Sequence, residues 1–176
     1  WNRPKDEVDA LMKLLDKYMS TCLKTAAKNN MCVKVLGDKA GLDPDLQKRI
    51  AELEEATKDY SGLHFQIALN YGGQDEIVRA VNAAIENGKP IDKETFETYL
   101  DTGDLLPVDL MVRTSNENRI SNFLLWKLAY AELLFIPEHW PELVKSEKLW
   151  QHVLQEYQKR NRRFGGEKKK NYSGKQ

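Results

Sequence analysis

The clearest candidate for chemistry in this sequence is a polar segment enclosed by two arginines. Arg113 and Arg119 flank Thr-Ser-Asn-Glu-Asn, and Ser121 follows shortly after them. Guanidinium groups are planar and permanently charged, so two of them before a helix N-terminus suit a phosphate or a diphosphate. A solvated loop in which Ser121 caps a helix is the alternative interpretation. The mostly apolar residues 121–130 predict a buried helix, which would anchor the segment and favour a preorganised anion site.

Two other segments carry residue types that could serve a site. Asn70-Tyr71-Gly72-Gly73 follows a candidate strand, and its glycines either let the backbone approach a ligand or only permit a tight turn. Glu132 lies in the apolar stretch Ala-Tyr-Ala-Glu-Leu. A carboxylate in such a stretch is neutralised by a nearby cation, which is the commoner case, or by a hard metal ion such as Mg²⁺.

The composition describes one soluble globular domain and excludes a general attraction for nucleic acid. The 27 basic residues balance 27 acidic ones, so any anion site depends on locally placed arginines. Cys22 and Cys32 are the only cysteines and form no CxxC pair, which argues against a zinc site or a disulfide framework and fits a reducing cytoplasm. Because no apolar run approaches roughly 20 residues and no leader opens the sequence, we expect neither a membrane span nor export.

An alternation of strands and helices must position these candidate residues. Apolar, often β-branched runs predict strands at 31–36, 63–69, 109–113 and 133–136. Helical spacing predicts a long first helix from Pro4 and further helices after Asp43-Pro44, through Ile77 with an end at Gly88, and from Asp92. It also predicts helices over 121–130 and 146–160. The alternation predicts an α/β fold with a mostly parallel sheet and helices on both faces. Residues 167–176 are predicted to form a disordered basic tail.

The first helix carries an apolar face that has two interpretations. Leu11, Leu14, Leu15 and Met19 span an angle wide enough to line an internal tunnel as well as to contact the core. Packing in the core is the simpler explanation.

Taken together, these segments resemble the cis-prenyltransferases, in particular the bacterial undecaprenyl diphosphate synthases. The resemblance covers residues 1–166 and corresponds to the C-terminal two-thirds of the family's chains. It rests on Trp1-Asn2-Arg3-Pro4 with Glu7, on residues 69–77, and on residues 113–133. The last block is the most specific, because it contains Arg-Thr-Ser, Arg-Ile-Ser-Asn-Phe-Leu-Leu-Trp and Leu-Ala-Tyr-Ala-Glu-Leu in this order.

The resemblance implies a Mg²⁺-dependent enzyme that condenses isopentenyl diphosphate with an allylic substrate, farnesyl diphosphate. The product is a long polyprenyl diphosphate, a lipid carrier for cell-wall synthesis. The family's fold implies a cis-prenyltransferase domain over residues 1–166 that lacks the family's N-terminal strands. It also implies a homodimer in the cytoplasm. The lipid product would allow peripheral contact with the inner face of the membrane.

Roles for individual residues follow from the same resemblance. Arg113, Arg119 and Ser121 are expected to bind the diphosphate of isopentenyl diphosphate, and Glu132 is expected to help to bind Mg²⁺. Trp1, Arg3 and Glu7 are expected to be catalytic residues on a mobile segment that closes over the substrates. Arg163 and Gly165 match an Arg-x-Gly element that reaches the diphosphate in the partner subunit.

The sequence departs from the family's pattern in two places. Asn116 occupies a position usually held by glycine, which is acceptable because asparagine tolerates a left-handed backbone well. The family's Asp-Gly-Asn-Gly-Arg block, which binds Mg²⁺ and the allylic diphosphate, is not in the sequence. We therefore expect this block to precede Trp1 and the sequence by itself to be inactive. The alternatives are a non-catalytic subunit of a heteromeric prenyltransferase and an unrelated phosphate-binding α/β module.

Overall fold

The structure is a computed structural model that describes residues 4–160, without the side chains of Lys5, Val8, Asp9, Asp16 and Ser20. The chain forms two compact units, Trp1–Asp104 and Leu105–Gln176. Each unit contains one pair of parallel strands. The predicted α/β class and the parallel pairing are thus confirmed, whereas the described strands form two separate pairs instead of one sheet.

The first unit alternates helices and strands as the periodicity predicts. Its elements are α1 (Lys5–Lys28), β1 (Cys32–Leu36), a short 3-10 helix (Lys39–Gly41), α2 (Pro44–Thr57), β2 (His64–Ala68), α3 (Gly73–Asn87) and α4 (Lys93–Glu97). Strands β1 and β2 pair in parallel from Cys32 opposite His64 to Leu36 opposite Ala68.

The core of the first unit lies where α1 and α2 pack with β1. Met19, Cys22 and Ala26 occupy one face of α1 at helical spacing and are almost fully buried. They belong to one cluster with Val33, Val35, Ile50 and Leu53. Burial of such side chains is the main favourable term in folding, at about 1.5 to 3 kcal/mol for each large apolar residue.

Local sequence signals determine where the helices of this unit begin and end. The Asp43 carboxylate accepts a hydrogen bond from the Asp45 N–H at 2.9 Å, and Pro44 is in the first turn of α2. Gly88, at φ 67°, ends α3 in the left-handed conformation that glycine adopts without strain. Both helix ends agree with the prediction from the sequence.

A carboxylate beyond α4 joins the end of β1 to α3. Asp101 accepts hydrogen bonds from the Gly37 N–H at 3.0 Å and from both terminal nitrogens of Arg79, at 3.0 and 2.7 Å. Burial by itself raises the pKa of the Asp101 carboxyl, but the hydrogen bonds and the charge of Arg79 outweigh it, so the pKa lies below its usual value. The pair is therefore expected to stabilise the unit only while Asp101 is ionised.

Asp101→Asn is expected to lower the free energy of unfolding at pH 7 by about 1.5 to 3 kcal/mol, the typical value of a charge-assisted hydrogen bond. Because the pKa of Asp101 is lowered by folding, this contribution is present above about pH 3.9, the pKa in an unfolded chain, and is lost as the pH falls through the folded-state pKa. Urea denaturation between pH 2 and 7 measures both effects. Asp104→Asn is the control, because Asp104 pairs with Lys34 and its side chain is 65% exposed. Its free energy of unfolding should fall by less than about 1 kcal/mol.

The second unit contains β3 (Leu110–Arg113), β4 (Glu132–Phe135), α5 (Trp140–Lys145) and α6 (Glu147–Gln158). Strands β3 and β4 pair in parallel, with Leu110 opposite Glu132 and Arg113 opposite Phe135. Its core consists of the buried residues Leu134, Ile136, Leu143 and Val153. Among residues 4–160, no helix combines the length and the apolar character that crossing a membrane requires.

The predicted buried helix over residues 121–130 is wrong, because these residues form a series of turns. Ser121, Asn122 and Leu124 have positive φ angles of 48°, 62° and 44°, which a right-handed helix does not contain. Only Lys127 and Leu128 of this segment are buried. The apolar composition therefore did not indicate a buried helix, and Ser and Asn are residues that favour turns over a helix.

Candidate functional site

The residues predicted to bind an anion lie in the second unit, in a loop of residues 113–121 that we call the arginine loop. Arg113 is the last residue of β3 and donates a hydrogen bond from Nη2 to the Ser121 hydroxyl at 3.4 Å. Arg119 forms an ion pair with Glu117, and its side chain is 65% exposed. The structure thus brings Arg113 and Ser121 together at the carboxyl end of a strand, where open α/β sheets bind their ligands.

Hydrogen bonds to the β4–α5 connection hold the arginine loop in place. The Ser115 N–H donates to the Glu138 carbonyl at 2.9 Å and the Asn116 N–H donates to the Ile136 carbonyl at 3.1 Å. The Ser115 hydroxyl also lies 3.0 Å from Nδ1 of His139. The loop is therefore held by these bonds and not, as predicted, by a helix after Ser121.

The left-handed backbone expected at Asn116 is present, with φ at 56°. Asn116→Gly is expected to leave the free energy of unfolding unchanged or to raise it by up to about 1 kcal/mol, because glycine has no Cβ to strain this conformation. Asn116→Val should lower it by about 1 to 2 kcal/mol, since a β-branched residue is poorly tolerated there. Urea denaturation measures both. Asn118→Val is the matched control, because residue 118 is exposed and is not among the positive-φ residues.

Glu132 starts β4 and is engaged in an ion pair. Its Oε2 accepts a hydrogen bond from Nη1 of Arg160 at 3.1 Å, and the same nitrogen donates to the Leu133 carbonyl at 2.7 Å. The glutamate side chain is 24% exposed. Within residues 4–160 no group of three or more acidic, histidine or cysteine side chains could hold a metal by itself.

A large cavity lies in the first unit beside α1. Its volume is about 1390 Å³. One wall consists of α1 side chains, namely Leu11, Met12, Leu14, Leu15 and Tyr18. The rim is polar and comes mainly from the ends of β1 and β2, with Asp38, Asn70, Tyr71, Gly72 and Asp75.

The four α1 residues that could line a tunnel or pack in the core are divided between a cavity and the core. Leu11, Leu14 and Leu15 line the cavity, whereas Met19 is buried in the core. Tyr18 also lines the cavity and was not predicted to do so, although its spacing to Leu11, Leu14 and Leu15 places it on the same helical face. Helical periodicity therefore contained the signal for this residue.

Three residues of the Asn70–Gly73 segment, namely Asn70, Tyr71 and Gly72, line the cavity. Asn70 has a φ of 48°, and its amide donates from Nδ2 to the Asp38 carbonyl at 2.9 Å. The Asp38 N–H donates in turn to the Asn70 carbonyl at 3.2 Å. In this turn the left-handed residue is therefore the asparagine, while Gly72 is extended at φ −145° and borders the cavity.

Glu76 is a buried carboxylate behind this rim and was not among the predicted site residues. Its side chain is almost fully buried and accepts hydrogen bonds from Tyr71 and Thr102. The signal in the sequence is its position, because Glu76, Ala80 and Ala84 follow one another at four-residue spacing along the buried face of α3.

The remaining predicted site residues lie at the ends of the sequence. Trp1, Arg3, Arg163 and Gly165 are outside the described residues, as is the predicted tail. Glu7 is in the first turn of α1 and is exposed. Their predicted roles remain predictions.

Comparison with known proteins gives consistent matches over nearly the whole chain. A family model described as "Putative undecaprenyl diphosphate synthase" matches residues 1–165. An isoprenyl transferase of Fusobacterium nucleatum is 46% identical, over 96% of this chain and 72% of its own length. A ditrans,polycis-undecaprenyl-diphosphate synthase of Haemophilus influenzae, described as specific for (2E,6E)-farnesyl diphosphate, is 40% identical over 94% of this chain and 72% of its own length.

Solved structures agree with these matches. A probable undecaprenyl diphosphate synthase from Campylobacter jejuni has a TM-score of 0.84 at 36% identity, and the match covers 94% of this chain and 78% of that one. Lavandulyl diphosphate synthase from Lavandula x intermedia, in complex with dimethylallyl diphosphate, has a TM-score of 0.85 at 35% identity, over 94% and 74% of the two chains. These matches exclude an unrelated phosphate-binding module. The chain belongs to the undecaprenyl diphosphate synthase family and is a cis-prenyltransferase.

Proposed function

We propose that this protein lengthens farnesyl diphosphate with isopentenyl diphosphate to make a long polyprenyl diphosphate. The observation that carries the proposal is the cavity of about 1390 Å³ with an apolar wall on α1 and a polar rim. Pockets for small ligands usually measure about 300 to 1000 Å³, so this cavity has room for a larger apolar group. A long hydrocarbon chain with a polar head has the matching chemistry.

The arginine loop is proposed to bind the diphosphate of isopentenyl diphosphate. Arg113 and Ser121 already lie within hydrogen-bonding distance of each other, so both are positioned to donate to one anion. Arg119 would exchange its exposed ion pair with Glu117 for the substrate. This exchange costs little, because exposed ion pairs contribute about 0 to 1 kcal/mol.

Glu132 fits Mg²⁺ as one ligand of several. Its Oε2 is engaged by Arg160, and a carboxylate has a second oxygen that can bind a cation. Magnesium in enzymes of this kind is commonly held by one or two carboxylates together with substrate phosphates and water. A single carboxylate is therefore compatible with the ion. When bound, Mg²⁺ would neutralise charge on a diphosphate.

The residues of this chain would contribute binding, orientation and exclusion of water. In the proposed reaction the allylic carbon–oxygen bond breaks and diphosphate leaves, the double bond of isopentenyl diphosphate attacks the allylic carbon, and loss of a proton forms the cis double bond. Arg113, Arg119 and Ser121 would hold the attacking substrate in one orientation. The apolar cavity wall would shield the developing cation from water and accommodate the growing chain.

We further propose that the protein acts as a homodimer in the cytoplasm, where its product serves as a lipid carrier for the cell wall. Support for a dimer comes from the exposed apolar side chains of α5 and α6, among them Trp140, Val144 and Leu154 at 55%, 53% and 54% exposure. Arg163 and Gly165 would reach the partner's site, and the lipid product would bring the dimer into peripheral contact with the inner face of the membrane. The molar mass in solution tests the dimer.

The test of the function is a turnover assay on the complete product of the gene. Radiolabelled isopentenyl diphosphate, farnesyl diphosphate and Mg²⁺ should yield long polyprenyl diphosphates, which thin-layer chromatography resolves by length. If no polyprenyl diphosphate forms, the protein should be added to an active synthase of the family and the synthase activity measured again. Activation there would support the non-catalytic subunit, and no effect in either assay would contradict both functions.

A further inference from the structure

A buried carboxylate links two distant segments behind the rim of the cavity. Glu76 and Thr102 are each 1% exposed. One oxygen of Glu76 accepts hydrogen bonds from the Thr102 N–H at 3.0 Å and from the Thr102 hydroxyl at 2.8 Å. The other oxygen accepts one from the Tyr71 hydroxyl at 2.5 Å. A carboxylate is buried at acceptable cost only with such partners, so the three groups form one interdependent unit.

The unit ends at a residue that borders the cavity. Tyr71 lies between β2 and α3 and lines the cavity, whereas Glu76 and Thr102 do not. Its ring is joined through the hydroxyl to Glu76, which is held in turn by Thr102, a residue 26 positions further along the chain. Thr102 thereby acts on the cavity wall without contacting it.

A neighbouring set of bonds restrains the same part of the rim. Asp101, adjacent to Thr102, binds Arg79 through two hydrogen bonds, and Arg79 also binds Asp75 at 2.8 Å. Asp75 is a rim residue of the cavity. Thr102 thus holds Tyr71 through Glu76, and the adjacent Asp101 holds Asp75 through Arg79.

We propose that Glu76 and Thr102 are positioning residues that keep Tyr71 in the cavity wall and so determine how tightly the protein binds the apolar tail of its allylic substrate. This inference rests on the proposed function, which places that tail in the cavity. Apolar contact depends on close packing, because a gap of 0.5 to 1 Å already forfeits about a quarter to a half of each dispersion contact. Release of the Tyr71 ring should therefore weaken binding of the tail.

The experiment compares variants that remove one hydroxyl each from the complete protein. Tyr71→Phe keeps the ring and removes its bond to Glu76, and Thr102→Val removes the second hydroxyl at nearly constant volume. Thr102→Ser restores a hydroxyl and serves as the rescue. Thr98→Val is the matched control, because Thr98 is exposed at the end of α4 and its hydroxyl donates locally, to the Thr95 carbonyl at 2.7 Å.

Two probes separate the tail from the head group. The dissociation constant of farnesyl thiodiphosphate, an unreactive analogue, is expected to rise about five- to tenfold in Tyr71→Phe and Thr102→Val and to stay within about twofold in Thr102→Ser and Thr98→Val. The constant for inorganic diphosphate should stay within about twofold in all four. The KM for farnesyl diphosphate should rise in the same variants as the dissociation constant of farnesyl thiodiphosphate. A smaller folded fraction lowers the measured kcat but leaves these constants unchanged, so a purely structural role would not produce this pattern.

The outcomes distinguish this inference from the proposed function. If the wild-type protein binds farnesyl thiodiphosphate and both Tyr71→Phe and Thr102→Val bind it equally well, the positioning role is wrong and the function stands. If the wild-type protein neither binds the analogue nor forms product, the proposed function itself is wrong. If the variants bind farnesyl thiodiphosphate and inorganic diphosphate more weakly by the same factor, the inference is also overturned, because Tyr71, Glu76 and Thr102 would then act on the diphosphate.

Discussion

Arg113→Ala is expected to lower kcat/KM for isopentenyl diphosphate by at least about a hundredfold, which corresponds to about 2.7 kcal/mol of lost stabilisation. The reason is that alanine removes a permanently charged donor from the end of β3, where the Ser121 hydroxyl accepts from it. Charge-assisted bonds to a diphosphate are among the stronger polar interactions, and they cannot be replaced by water without loss of orientation. Steady-state kinetics with varied isopentenyl diphosphate measure the effect.

The control for Arg113 must remove a positive charge from the same unit without touching the loop. Lys148→Ala does this, because Lys148 is exposed on α6. Its activity should stay within about twofold of wild type, since an exposed charge of this kind contributes little. The KM for farnesyl diphosphate should also change little in Arg113→Ala. An Arg113→Ala variant with full activity would refute the assignment of the arginine loop.

Glu132→Gln is expected to lower kcat about a hundredfold and to raise the Mg²⁺ concentration needed for half-maximal activity. The substitution keeps the size of the side chain but replaces an ionised oxygen, the ligand that Mg²⁺ prefers, by an amide. It also weakens the bond to Arg160. Activity measured over a range of Mg²⁺ concentrations reports the first effect, and urea denaturation reports the second.

Arg160→Gln distinguishes the proposed binding of Mg²⁺ by Glu132 from its ion pair with Arg160. This variant removes the same ion pair from the other side, and it leaves the Glu132 carboxylate in place. If Glu132 binds Mg²⁺, Arg160→Gln should lose stability but keep a nearly normal Mg²⁺ requirement. If Arg160→Gln instead reproduces the full loss of activity at an unchanged Mg²⁺ requirement, Glu132 acts only through its ion pair.

The local patterns of the sequence were sufficient to predict most elements. Runs of β-branched and apolar residues identified the four strands of residues 4–160 to within one residue at each end, for example 31–36 against the observed Cys32–Leu36. Asp43, Pro44 and Gly88 marked helix ends, because capping and left-handed backbone depend on neighbouring residues alone. The left-handed conformation at Asn116, expected because the family usually has glycine there, was also confirmed.

The segment 121–130 shows where such patterns fail. Its residues are mostly apolar and show no regular spacing of polar and apolar positions, so periodicity alone could not distinguish a helix from a series of turns. The positive φ angles at Ser121, Asn122 and Leu124 exclude the helix. The arginine loop is nevertheless held in place, by bonds from Ser115 and Asn116 to a connection 20 or more residues away along the chain.

The family, the arginine loop and the apolar face of α1 could be inferred from sequence patterns, because motifs and helical periodicity are properties of neighbouring residues. Which groups meet across the chain depends instead on the tertiary structure. It paired Glu132 with Arg160 at a separation of 28 residues and buried Glu76 against Thr102 at a separation of 26. It also divided the α1 face between the cavity and the core. A carboxylate looks the same in a sequence whether it is solvated, paired or buried, and only packing and its hydrogen-bond partners make the difference.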